Sequence, residues 1–229
     1  MKKYIPILIG LSFLLSEILL KLNATFGFLC YTVLITGCLI ALSREEEVDI
    51  YSKLMIVLLI LPMMRIAELF VNFSYLWRSF IIYYILLFLV LIYSTRFKIN
   101  PGFTKKGLKF LPLVLILGVL LGLLGGGLIP EKYSEFILFL PIIVFSEELL
   151  FRGMIQNLIK EGYGTKLSII IPSIVYVIFS LNYSFLVVAF LLVTSLVSSI
   201  IYAKTKNIFL TIALNLVVHF FIFVFPSVL

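Results

Sequence analysis

Between its clusters of charge, this chain runs in apolar stretches of 15 to 22 residues, one after another along residues 5–229. That length is close to the ~20 residues a helix needs to cross a bilayer. Inside hydrocarbon every backbone N–H and C=O must be satisfied by protein, so repeated stretches of this length select helices. Apolar residues fill 63% of the 229 positions and charged residues 13%, against roughly 45–50% and about 25% in a soluble domain. The expected fold is therefore all-α, a polytopic membrane helix bundle of eight or nine transmembrane helices in a single membrane domain, 1–229. Residues 1–20 resemble a secretory signal in charge, but they carry Glu17 and lack a small-x-small cleavage pattern, so they read as a retained first helix.

The apolar blocks fall at 5–20, 24–42, 54–71, 79–95, 110–129, 134–150, 167–181, 184–203 and 208–229. With Lys2 and Lys3 inside, the inner segments 43–53, 95–109, 152–166 and 204–207 together with the N-terminus hold 14 of the 18 Lys and Arg residues. A nine-span chain with a cytoplasmic N-terminus thus obeys the positive-inside rule at every turn. The net charge of +7 is explained by these loops, and nucleic acid is not an expected partner. The basic loop 95–109 is expected to lie along the headgroups. Cys30 and Cys38 are eight apart on one helix, about 12 Å, too far for a disulfide. Gly122–Gly127 is expected to let a helix end turn or pack closely. Sequons begin at Asn23, Asn72 and Asn182, all in outer loops too short for glycosylation to be expected.

Ionisable residues within membrane helices are costly, and each calls for a functional hypothesis. Arg65 and Glu68, three apart on one face, read as a buried structural ion pair. Glu17 has Lys21 four residues on as a structural partner. The run Ser146-Glu147-Glu148-Leu149-Leu150-Phe151-Arg152-Gly153 differs in kind. Neighbouring helix positions project about 100° apart, so its two carboxylates cannot do the same job. Glu148 lies four residues before Arg152, the favourable order for an ion pair, which leaves Glu147 without a local cation. Burial strengthens a carboxylate's hold on a proton, as a general base requires. One paired and one free acid suit water activation; a helix-end charge network between spans accounts for the same spacing.

EELLFRG resembles the glutamate-glutamate-x-x-x-arginine motif of the CAAX-protease and bacteriocin-processing (Abi) family of intramembrane endopeptidases. The resemblance runs through 147–181 and, more weakly, 207–219. It implies N-terminal helices at 1–129 and a protease-like core at 130–229, with Glu147, Glu148 and Arg152 as catalytic residues and Glu147 activating water. The family's second motif, Phe-x-x-x-His, falls on Tyr176 to Ser180, so tyrosine and serine replace both named residues. Its third, His-x-x-x-Asn, falls on Asn215 to His219 in reversed order. Asn215 and His219 are candidate oxyanion donors, or else hydrogen-bond partners between helices. Tyr176 and Ser180 are candidate site-lining residues, and Ser180 serves equally as a small packing residue.

A divalent metal, zinc, is the cofactor to weigh. Catalytic zinc commonly takes three protein ligands, and this chain has one histidine; Glu147 and His219 are the ligands it could offer, and a metal-free route stays open. The expected partners are the lipid bilayer, a peptide or lipid-modified protein substrate, and a membrane protein partner. The expected location is a prokaryotic plasma membrane. A catalytically inactive member acting as a scaffold or regulator is the alternative that the missing histidine raises.

Overall fold

The computed structural model describes residues 4–43, 48–70, 75–126, 137–180 and 184–224. Among them every regular element is helical. Asn23 alone separates α1 (Ile5–Leu22) from α2 (Ala24–Ser43). Its N–H donates to Leu19 O at 2.7 Å, while its Oδ1 accepts from the N–H groups of Thr25 at 3.0 Å and Phe26 at 3.3 Å. A short side chain that closes one helix and caps the next makes so tight a reversal feasible. Gly27 lets the pair close further, since a Cβ there would stand 2.4 Å from Leu20 Cα.

Helix α3 (Ile50–Phe70) opens on Asp49, whose Oδ1 accepts from Ser52 N–H at 2.8 Å. It occupies the centre of the bundle: 61% of its apolar span is buried, against 28% in α1 and 22% in α2. Helix α4 (Tyr75–Arg96) leads through an irregular connection and a 3-10 turn (Leu108–Phe110) into α5 (Leu111–Gly125). Helix α5 packs on α10 (Ile208–Val224) through glycines. A Cβ at Gly122 would lie 2.5 Å from Phe221 Cβ, and one at Gly118 3.0 Å from Val217 Cβ. Small residues that admit a neighbouring helix this closely are a general device of membrane helix packing.

The sixth apolar block departs from the sequence expectation. Its helix does not stop at 150 with a loop over 152–166. Instead α6 (Leu140–Glu148) continues through a π-helical segment (Leu149–Gln156) into α7 (Asn157–Tyr163). Gly164, at φ 89°, breaks the chain direction before α8 (Thr165–Phe179), and α9 (Phe185–Thr205) follows. Arg152 is therefore not a loop charge: it is 1% exposed, inside the helix. Polar residues at 152, 156 and 157 resemble a loop in sequence, but they find their partners on neighbouring elements.

Among the described residues, α1, α2, α3, α9 and the segment Leu108–Gly125 are long and apolar enough to cross a membrane, with shorter apolar helices at Phe80–Arg96, Thr165–Phe179 and Ile208–Ile222. That criterion secures five of the expected eight or nine spans. The outer faces of these helices are apolar; Leu8, Leu11 and Leu15 of α1 and Leu113, Ile116 and Leu120 of α5 are all more than half exposed. A surface of this kind is suited to lipid rather than water. Asn72, Asn182 and Gly127 lie outside the described residues.

The N-terminal helices are tied to the C-terminal ones by charge. Arg65 pairs with Glu68 at 2.5 Å, as its spacing suggested, but it also takes Glu17 of α1 at 2.7 Å. The partner that the sequence offered for Glu17 was Lys21; the structure gives it a cation 48 residues away. The third guanidinium nitrogen, Nη2, donates to Phe179 O, and the group lies 4.3 Å over the Phe179 ring. Charges this deeply buried are tolerable only when paired and hydrogen-bonded. The cluster thereby fixes α1 and α3 against the C-terminal end of α8.

Candidate active site

The two glutamates sit on the last turn of α6, where the π segment begins. A π turn inserts an extra residue into the helix and recurs at functional sites. All eight residues of this one are buried. Gly153 lies within it because the 97–107 connection crosses there: a Cβ at that position would come 2.9 Å from Pro101 Cβ.

From this turn the neighbouring carboxylates diverge. Glu147 faces α4 and α8, where its Oε1 accepts from Tyr83 Oη at 2.8 Å and its Oε2 from Tyr176 Oη at 3.3 Å. The second bond is long for an O–H donor. Tyr176 is held by Phe151, edge-on at 5.0 Å, and by the Arg152 guanidinium, 5.6 Å from its ring centroid. Glu148 faces α10, accepting from Asn215 Nδ2 at 2.7 Å, with Arg152 Nε 3.6 Å from its other oxygen. The separate environments expected for the two acids are present.

Arg152 reaches across to α9 and donates from Nη2 to Ser195 Oγ at 3.0 Å and Ser195 O at 3.2 Å. One turn on, Gln156 Nε2 donates to Ser199 O at 2.9 Å. Asn215 Nδ2 also donates to Ser198 Oγ at 2.9 Å. Ser195, Ser198 and Ser199 form one face of α9, and small polar residues there admit the arginine. Glu148 Oε2, Arg152 Nε and Nη1, and Gln156 Oε1 are nonetheless buried without a hydrogen-bond partner. Unsatisfied groups at such a depth are expensive, and here they follow one face of the helix from Glu148 through Arg152 to Gln156.

The structure thus brings Glu147 together with Tyr176, and Glu148 together with Arg152 and Asn215. His219 lies one turn along α10, with Nδ1 2.7 Å from Asn215 O. Ser180 turns its hydroxyl back to Tyr176 O at 3.0 Å. Sequence reasoning missed Tyr83, which comes from 64 residues away with no local signal. It also missed the serines of α9, whose small-polar spacing was legible but whose partner was not.

The donor set does not fit a three-ligand zinc centre. Among the described residues no group of three His, Cys, Asp or Glu side chains is positioned to hold a metal ion. The oxygens of Glu147 are committed to two tyrosines and Glu148 to Asn215 and Arg152.

No curated protein and no solved structure matches the chain. The helices of membrane-spanning length and the match of one family model together make this an integral membrane protein. Residues 130–221 match the family model described as type II CAAX prenyl endopeptidase Rce1-like, in keeping with the resemblance carried by the Glu147–Arg152 run.

Proposed function

We propose that the chain is an intramembrane endopeptidase of the CAAX-protease type, in which Glu147 activates water. The observation that carries this reading is the unequal setting of two adjacent acids. Glu148 is held by Arg152 and Asn215, whereas Glu147 accepts from the hydroxyl groups of Tyr83 and Tyr176. In this mechanism Glu147 accepts a proton from water as the water oxygen adds to the scissile carbonyl carbon. It returns that proton to the amine as the C–N bond breaks. Asn215 and His219 are the oxyanion donors, and Glu148 with Arg152 keeps α6, α9 and α10 in register around them.

The substrate in this reading is a peptide or a lipid-modified protein segment presented at the membrane. The N-terminus and the basic loops are cytoplasmic, supported by the Lys and Arg distribution, and the membrane is a prokaryotic plasma membrane. No step requires a metal.

A second reading, a catalytically inactive scaffold or regulator of a partner membrane protein, draws on Asn215. Its amide nitrogen already serves Glu148 and Ser198, so it must release one of them to meet an oxyanion. The two readings separate in a product analysis. Purified protein in vesicles is incubated with matched isoprenylated and unmodified peptides, with and without chelator, and fragments are identified by mass spectrometry. Defined fragments that survive chelation support the protease; intact peptides from folded protein support the scaffold.

A further inference from the structure

At one end of the bundle, α7, the 97–107 connection and the turn between α9 and α10 line an open cavity of about 410 Å³. Lys53 of α3, Lys98 of the connection and Lys206 of the turn line it, with Glu161 as the acid among the lining residues. Lys53 and Lys98 make no ion pair among the described residues.

Two helix ends meet at this cavity. Lys98 (φ 53°) and Lys206 (φ 55°) are the non-glycine residues with left-handed backbone among those described, and both line it. Gly102, also lining it, has φ 90°. Both lysines close a helix, Lys98 after α4 and Lys206 after α9, where a left-handed residue is a common ending, and these two helix ends bring their side chains to the same cavity.

The walls are tied together before any ligand arrives. Asn157 Nδ2 donates to Asn100 O at 3.0 Å and to Tyr202 Oη at 2.7 Å, Ile208 N–H donates to Gly102 O at 3.0 Å, and Thr104 Oγ1 donates to Lys206 O at 3.2 Å. Lys206 Nζ donates to Asn157 Oδ1 at 3.3 Å, which leaves further N–H groups of that amine to serve a guest. Burial, and then the nearby Lys160, push the Lys206 ammonium down to about 8 against a smaller opposing effect of Glu161. An anion beside it would relieve both. Next to the cavity, Phe103 and Phe209 pack with ring centroids 5.4 Å apart and are each more than 40% exposed, an apolar surface that an acyl chain can cover.

We propose that this cavity binds a phosphate group, presented as the headgroup of an anionic phospholipid or as free phosphate. Lysines are point-charge phosphate binders, and basic pockets between membrane helices take anionic headgroups. The cavity volume exceeds that of a bare phosphate and accommodates a phosphoglycerol headgroup. The site is independent of the protease reading, although Asn157 lies on the same continuous helix as Glu147 and Arg152.

The test uses the full-length protein, delipidated and returned to phosphatidylcholine vesicles with or without phosphatidylglycerol. Retained lipid is counted by native mass spectrometry, and inorganic phosphate is titrated separately by thermal shift. K53Q/K206Q is expected to weaken phosphatidylglycerol retention roughly 30-fold, from about 1 kcal/mol for each lysine. K105Q/K109Q, equal in charge change but outside the cavity, should retain it. K206G should lose affinity while raising the melting temperature in phosphatidylcholine, because it relieves the left-handed backbone. A saturable response to inorganic phosphate without lipid retention would identify free phosphate as the source. The proposal is overturned if K53Q/K206Q and the control bind both probes equally, or if the wild type binds neither.

Discussion

The hydroxyl of Tyr83 donates to Glu147 Oε1 across 2.8 Å, joining α4 to the turn of α6 that carries both acids. Tyr83 thus orients the carboxylate from an element that the family match at 130–221 does not cover. Tyr83→Phe keeps the ring and removes the donor. A hydrogen bond to a charged group contributes about 1.5–3 kcal/mol. The variant is expected to stay folded and to cleave peptide roughly tenfold or more slowly, with KM changed less than kcat. Initial rates across a substrate series measure the split.

Glu148 and Arg152 should behave as a unit. Arg152→Met leaves Glu148 buried with the Asn215 amide donating to it and without its cation, and is expected to cost about 3–5 kcal/mol, as does breaking other buried pairs. Glu148→Gln in the same chain removes the stranded charge and should restore much of that loss. Thermal unfolding of both single variants and the double variant, in one detergent, gives the coupling energy. Additive losses would mean that the 3.6 Å pair does not interact.

Much of this turn was legible because its signal is local. The order of Glu148 and Arg152 at four residues' spacing identified the pair, and the absence of a nearby cation singled out Glu147. Partners supplied by tertiary packing left no such trace. Glu17 has Lys21 within one turn, yet takes Arg65, because the choice is made by how α1 lies on α3. Arg152 resembles the start of a basic loop until the serine face of α9 is placed against it. For the same reason the helix was expected to end near 150, whereas it runs on to Tyr163. Asn215 and His219 were legible as a helix-face pair, but that Glu148 takes the Asn215 amide was not.

Packing of α5 on α10 depends on what glycine omits. Gly122→Val would drive its side chain into Phe221, whereas Gly37 has nothing within 4 Å of an added Cβ. The first substitution is expected to cost about 1–3 kcal/mol and the second much less. Unfolding midpoints of the two variants, compared side by side, check the contrast.

Lys206 makes the stability of the fold depend on alkaline pH. Its folded-state pKa of about 8 lies below the ordinary 10.5, so between these values the unfolded chain holds a proton that the folded chain has lost. Stability from this group therefore rises with pH across that window and is flat below it. Lys206→Gln should remove that part of the slope. Unfolding measured from pH 7 to 10.5 in wild type and variant tests the sign.

The role given to Glu147 is tested most directly by the turnover of a peptide by the purified protein in vesicles, wild type against Glu147→Gln. Glutamine keeps the shape and can still accept from Tyr83 but cannot take a proton from water. The expected result is cleavage by wild type and a loss of at least about a hundredfold in the variant, with both proteins unfolding at similar temperatures. Equal cleavage by the two, or folded wild type that cleaves no peptide in the isoprenylated and unmodified panel, would contradict the account.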